Sequence, residues 1–129
     1  MIKINCAVIV EDSIPMQSLI KMVLQSFGAE QIIVLNNGAE AISCPEMSKA
    51  DIVIMDWNMA VMDGLECTRK IRSGIDGVDK NLPIILLTGN CGKSNEAYEA
   101  GVNGYIEKPF SLKSLHDVVY STLESIVAT

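Results

Sequence analysis

Apolar positions fall into two rhythms along the chain, unbroken short runs and runs spaced at helical intervals. Ile4–Val10 (INCAVIV), Ile32–Leu35, Ile52–Met55 (within DIVIM), Pro83–Leu87 (PIILL) and Gly104–Glu107 are the short runs, the pattern of strands buried on both faces. Between them the period lengthens. Met16, Leu19, Ile20, Val23, Leu24 and Phe27 recur at helical spacing, with Ser13 placed to cap, Pro15 tolerated in the first turn and Gly28 ending the run. Shorter helices are predicted from Gly38 to about Cys44, stopped by Pro45, and from Leu65 to Arg72; residues 73–82 read as a polar loop. A weakly apolar helix covers about Lys93 to Ala100. A final helix begins after Ser111 and is expected to bury Leu112, Leu115, Val119, Leu123 and Ile126.

Five strands alternating with five helices predict an α/β fold, a doubly wound five-stranded parallel sheet with right-handed crossovers and helices on both faces. In such sheets ligands gather beyond the carboxyl ends of the strands. Strand one ends at Glu11 and Asp12, strand three at Asp56, strand four at Thr88 and strand five at Lys108. Singly, each has an ordinary explanation: an acid or hydroxyl after a strand caps the next helix, and a lone lysine is solvated. All five at one edge mark a site. Asp56 sharpens the point, because a carboxylate ending a buried run costs several kcal/mol unless something pairs with it.

Composition narrows the class. The chain of 129 residues is 49% hydrophobic and 20% charged, which fits one domain over 1–129 with its own core and no separate output domain. Cys6, Cys44, Cys67 and Cys91 are scattered, without a CxxC or a histidine at ligand spacing, and read as reduced, mostly packed thiols of a cytoplasmic protein. The N-terminal apolar run stops at Glu11, too soon for a signal peptide or membrane insertion. Net charge is −6, which argues against direct nucleic-acid binding. Residues 1–64 hold eight acidic against three basic side chains, a net of −5, and 65–129 hold eight against seven. The acidity is thus concentrated in the half that supplies three of the strand-end carboxylates.

Clustered carboxylates repel one another unless a cation joins them, and an all-oxygen set without histidine or thiolate suits Mg²⁺. A cation, a lysine charge and a hydroxyl together suit a phosphoryl group. Neither GxxxxGK[ST] nor GxGxxG is present, so a bound nucleotide is not indicated. A carboxylate is then left to accept the phosphoryl group as an acyl phosphate; Asp56 is the candidate, with Glu11 and Asp12 committed to metal.

IVED (9–12), MDWNM (55–59), MDG (62–64), PIILLTG (83–89) and GYIEKPF (104–110), in this order and spacing, resemble a bacterial two-component response-regulator receiver domain over essentially the whole chain. DWNM followed by MDGLE is similar to single-domain chemotaxis regulators. The resemblance implies flavodoxin-like strand order 2-1-3-4-5 and a phosphoacceptor signalling domain that is not an enzyme toward other substrates. Asp56 would take the phosphoryl group from a phosphohistidine kinase or phosphotransfer protein. Asp12 would bind Mg²⁺ directly, Glu11 largely through water, Asp56 by its carboxylate and Asn58 by its backbone carbonyl. Thr88 and Lys108 would contact phosphoryl oxygens, Tyr105 would reorient on activation, and Lys108-Pro109 would be cis. A downstream protein would dock on the fourth helix, fifth strand and fifth helix, residues 94–121.

The chain departs from the family pattern at Ala60, where Pro is usual, at Gly89, where Ala is usual, and at Glu11, a common alternative to Asp. The lone His116 reads as a surface residue away from the site, and Trp57 as a partly exposed aromatic. NLPIILLTGN is similar to receivers of hybrid kinases, which keeps a phosphorelay intermediate open beside the chemotaxis reading. Two other classes compete: a haloacid-dehalogenase-type phosphatase, against which stand Asn58 in place of the second Asp and the lack of room for a cap, and a flavodoxin-like cofactor binder, whose phosphate Glu11 and Asp12 would repel.

Overall fold

Five apolar runs become five parallel strands in the computed structural model, which describes residues 2–127. In chain order the elements are β1 (Cys6–Val10), α1 (Ile14–Ser26), β2 (Gln31–Leu35), α2 (Gly38–Ser43), β3 (Ile52–Asp56), α3 (Gly64–Ser73), β4 (Ile84–Thr88), α4 (Ser94–Ala100), β5 (Gly104–Glu107) and α5 (Leu112–Val127). The sheet order is β2-β1-β3-β4-β5, as the resemblance implied, with β2 a half-buried edge.

Pleating divides the core in two, because successive side chains of a strand leave opposite faces. Val8, Val10, Val53, Met55, Ile84 and Leu86 pack with Ala41 of α2, Leu65 and Ile71 of α3 and Ala97 of α4. Ala7, Ile9, Ile52, Ile54, Ile85, Leu87 and Ile106 point the other way, against Ile20, Val23 and Leu24 of α1 and Leu115, Val119 and Leu123 of α5. Every one of these residues is buried, and each large aliphatic side chain among them contributes about 1.5–3 kcal/mol by leaving water.

Several boundaries differ from the pattern reading. β1 begins at Cys6 although Ile4 is buried, because the Ile4 N–H is taken by the Phe27 carbonyl and the Asn5 and Cys6 N–H groups donate to the Asp51 carboxylate. Ser13 occupies the N-cap of α1 without a side-chain capping bond; its N–H donates to Glu11 Oε2 instead. A 3₁₀ turn over Pro45–Lys49 follows α2, where only a stop was expected. Leu112 and Ile126, expected in the core, are 42% and 41% exposed. The 16-residue α5 is roughly 24 Å long, and four- to five-residue strands of roughly 13–17 Å cannot cover its first and last turns. His116 is half-buried, its ring stacked on Phe27 at 4.5 Å, well away from the strand-end cluster. All four cysteines are free thiols, Cys6 and Cys67 buried and Cys91 exposed; burial pushes Cys67 up to about 12, so it stays a thiol.

Arg72, in the last turn of α3, forms a junction that the apolar pattern gives no hint of. Its guanidinium donates to the carbonyls of Gly101 and Lys80 and to Asn103 Oδ1, each at 2.8 Å. The same Asn103 oxygen accepts the Ile84 N–H at 2.9 Å, so the turn after α4 is bound to both α3 and β4.

Candidate functional site

The pleat that sorts the core also sorts the strand-end residues. Glu11, Asp56 and Lys108 continue the parity of Ile9, Ile54 and Ile106, and meet on the α1–α5 side of the sheet edge. Thr88, Tyr105 and Glu107 continue the parity of Leu86 and lean toward α4. Backbone bonds hold the strand ends in line: the Glu11 N–H donates to the Leu35 carbonyl at 2.9 Å, Trp57 to Leu87 at 2.8 Å and Lys108 to Thr88 at 2.7 Å.

Oxygens of Glu11, Asp12 and Asp56 lie within 4.8 Å of one another. Glu11 and Asp56 are buried and Asp12 is exposed, giving a cluster that opens to solvent on one side. Lys108 Nζ lies 3.3 Å from Glu11 Oε1 and 3.4 Å from Asp56 Oδ1. One ammonium among three carboxylates leaves a deficit of positive charge. Burial pushes Glu11 above the ordinary glutamate range; the Ser13 N–H pulls it down, Asp56 raises it again and Lys108 lowers it. Three convergent hard oxygen ligands with unmet negative charge fit Mg²⁺. The Lys108-Pro109 peptide is cis, as the resemblance implied.

The loop after Asp56 is tightly seated. The Asn58 N–H reaches Asp56 Oδ1 at 3.4 Å, and the Gly64 N–H donates to the Trp57 carbonyl at 2.9 Å. Asp63 caps α3 by accepting the Glu66 N–H at 2.8 Å, so this acid has a structural task and stands apart from the cluster. Val61, 83% exposed, has φ 69°, and the Met62 N–H donates across it to the Ala60 carbonyl at 2.8 Å, a γ-turn in the form rare for a β-branched residue.

Trp57 corrects the sequence reading. It is only 9% exposed and belongs to the core beside Met55 and Leu65. The strand hydrogen bonding runs one residue past Asp56, so the ring falls on the α3 face by the same alternation that sends Asp56 to the other. Thr88 is buried, and its Oγ1 accepts the Asn90 N–H at 3.1 Å. Tyr105 is half-buried, its hydroxyl 3.3 Å from the Asn90 carbonyl and 3.0 Å from Glu107 Oε2. Glu107 was passed over in the sequence as the end of a strand; the acid two residues after Tyr105, hence on the same face, was the signal that could have found it. Gln17 was passed over too, and its amide donates to the Glu11 carbonyl at 2.6 Å.

Comparison with known families returns the response regulator receiver domain, matched over residues 7–120. The chain belongs to this family. Chemotaxis protein CheY1 of Helicobacter pylori is 40% identical to this receiver domain over 121 residues, 88% of this chain and 95% of that protein. Among solved structures, the receiver domain of the sensor histidine kinase PA1611 from Pseudomonas aeruginosa, with magnesium coordinated in its active-site cleft, matches with a TM-score of 0.77 and 30% identity over 93% of this chain and 98% of that one. The chemotaxis response regulator CheY4 of Vibrio cholerae matches with a TM-score of 0.80 and 26% identity, covering 94% of this chain and 100% of that one. Phosphorylation-switched two-component signalling is therefore the function class of this receiver domain. Among the described residues no helix is long and apolar enough to cross a membrane.

Proposed function

We propose that this receiver domain takes a phosphoryl group from a phosphohistidine of a kinase or phosphotransfer protein onto Asp56 and signals through protein contacts. The observation that carries the reading is the meeting of Glu11, Asp12 and Asp56 oxygens within 4.8 Å, with Lys108 3.4 Å from the Asp56 carboxylate. A carboxylate oxygen of Asp56 attacks phosphorus, the P–N bond breaks, and the histidine nitrogen leaves with its electron pair. Lys108 meets the charge on the phosphoryl oxygens, and Thr88 supplies a hydroxyl donor from the neighbouring strand end. Glu11, Asp12, Asp56 and the Asn58 carbonyl would hold Mg²⁺, which supplies positive charge to the same oxygens when bound. The domain acts on its own phosphorylation state and on no other substrate.

The output reading places a protein target on α4, β5 and α5. A groove of about 410 Å³ there, lined by residues including Tyr98, Asn103, Tyr105, Asp117 and Val118, supports it. The identity to CheY1 favours a chemotaxis-type, cytoplasmic role. The likeness to a hybrid-kinase receiver favours a second reading, a relay intermediate that hands the phosphoryl group on. Incubation of the labelled chain with phosphotransfer proteins separates the two: loss of label to their histidine supports the relay.

The acceptor is tested by incubation with a small-molecule phosphodonor and Mg²⁺. An alkali-labile acyl phosphate is expected, abolished by Asp56→Asn and kept by Asp63→Asn, since Asp63 is a helix cap whose task asparagine also performs. Label that survives Asp56→Asn overturns the assignment. Sustained phosphate release from small phosphomonoesters would instead support the phosphatase alternative, and a bound yellow chromophore the flavin one.

A further inference from the structure

Glu107 closes β5 and lies outside the cluster of Glu11, Asp12 and Asp56. Its parity turns it away from the Lys108 side and toward α4, alongside Tyr105. There Oε2 accepts two hydrogen bonds, from the Gly92 N–H at 3.0 Å and from the Tyr105 hydroxyl at 3.0 Å. Gly92 has φ +75°, while a Cβ at that position would meet nothing within 4 Å. The glycine is therefore needed for the backbone turn that presents its N–H to β5, and not for space.

Tyr105 has one hydroxyl proton and two acceptors within reach, Glu107 at 3.0 Å and the Asn90 carbonyl at 3.3 Å. The shorter, charge-assisted bond prevails. The Lys93 N–H, one residue before α4, donates to the same hydroxyl oxygen at 3.3 Å. One carboxylate thus ties down Gly92 directly and Lys93 through Tyr105. The other end of the segment leaves Thr88, whose Oγ1 holds the Asn90 N–H at 3.1 Å and which pairs with Glu107 in the sheet register. Residues 89–93 are slung between the threonine whose hydroxyl assists the proposed transfer and the acid that anchors the far end.

We propose that Glu107 is a positioning residue for phosphoryl acceptance: it latches the 89–93 loop and Tyr105 to β5 in the unphosphorylated chain and thereby slows capture of a phosphoryl group at Asp56. The inference rests on Asp56 being the acceptor. Contacts made in only one of two arrangements bias the equilibrium between them, and the latch contacts belong to the arrangement with Thr88 bonded to Asn90.

The test uses the full chain as parent, Glu107→Ala and Glu107→Gln, each with three readouts. Amide exchange at Gly92 should rise about tenfold in Glu107→Ala, the loss of one hydrogen bond to a charged acceptor. In Glu107→Gln it should rise less, because the amide oxygen still accepts that N–H. The Tyr105 phenol, followed by NMR, should titrate lower in Glu107→Ala; in the parent burial, then the Glu107 bond, and lastly the charges of Glu107 and Cys91 hold it above the ordinary tyrosine value. The initial rate of acyl-phosphate formation from a small phosphodonor with Mg²⁺ should rise several-fold in Glu107→Ala, a change that a merely structural tie would not produce. Faster exchange with an unchanged labelling rate overturns the proposal, and so does unchanged exchange at Gly92. A parent that takes no label at all fails the acceptor reading itself, and the latch falls with it.

Discussion

Asp12 is the one exposed member of a carboxylate cluster whose other two members are buried, so its removal changes charge with little change in packing. Asp12→Ala is expected to abolish Mg²⁺ binding and to stabilise the metal-free chain by relieving like-charge repulsion. Trp57, the single tryptophan, reports on it. Its backbone bonds to Leu87 and Gly64 join it to the loop after Asp56, so emission should change saturably with Mg²⁺ at millimolar apparent affinity, on the order of −4 kcal/mol. Because Glu11 titrates above its ordinary value of 4.5, protons compete with the cation at a higher pH than an ordinary glutamate would allow. The sign is fixed by burial: the folded chain holds the Glu11 proton more tightly than the unfolded chain does. Metal-free stability is therefore reduced above the raised value and recovers as pH falls through it toward 4.5, while Mg²⁺ affinity declines over the same window. A Mg²⁺ titration followed by Trp57 emission, at neutral and at mildly acidic pH, checks the affinity, and urea unfolding of the metal-free chain at the same pH values checks the stability; a response preserved in Asp12→Ala would remove the acidic cluster as a metal site.

Gly64 shows how closely an element can be docked against the chemistry. As the first residue of α3 it sits so near β3 that an added Cβ would lie 2.5 Å from the Asp56 carbonyl oxygen and 2.8 Å from Leu86 Cδ2. Gly64→Ala should cost about 1–3 kcal/mol, read as a lower urea midpoint at unchanged slope, despite alanine's better helix propensity. Element type was legible in the sequence because β1, β3 and β4 are buried on both faces and so carry near-continuous apolar runs, while α1 carries a helical stripe. Element ends were less legible where a bond from a distant residue decides them, as Asp51 does for the start of β1. Of the site, Glu11, Asp12, Asp56 and Lys108 were legible since topology alone brings strand ends together. Trp57 was misjudged because how far the strand hydrogen bonding persists beyond Asp56 is decided by the Leu87 carbonyl, a partner some thirty residues away along the chain. Glu107 was missed because its meaning depends on the path of the loop that ends at Gly92.

At the scale of the molecule, the two pleat faces divide one sheet edge, with Asp56 and Lys108 on one side and Thr88 and Tyr105 on the other. On the proposed function, the Asp56 side would carry the transfer itself, while the Thr88 side would modulate its rate and pass the change on to a partner. Thr88→Ala is expected to keep acyl-phosphate formation while weakening the phosphorylation-dependent gain in partner binding, and Tyr105→Ala to weaken that gain too; full response in both variants would refute the coupling. The Arg72 junction then gives α4 a mechanical character. Its C-terminal end is bolted through Gly101 and Asn103, whereas its N-terminal end has no side-chain cap and hangs from Tyr105 and Glu107. A helix so held is a lever with its fulcrum at Gly101. The seven-residue arm is roughly 10 Å long, and a swing of about 10° carries its tip about 2 Å while the pivot stays in place. A partner gripping Ser94 and Asn95 would feel the whole stroke; one gripping Asn103 would feel none of it.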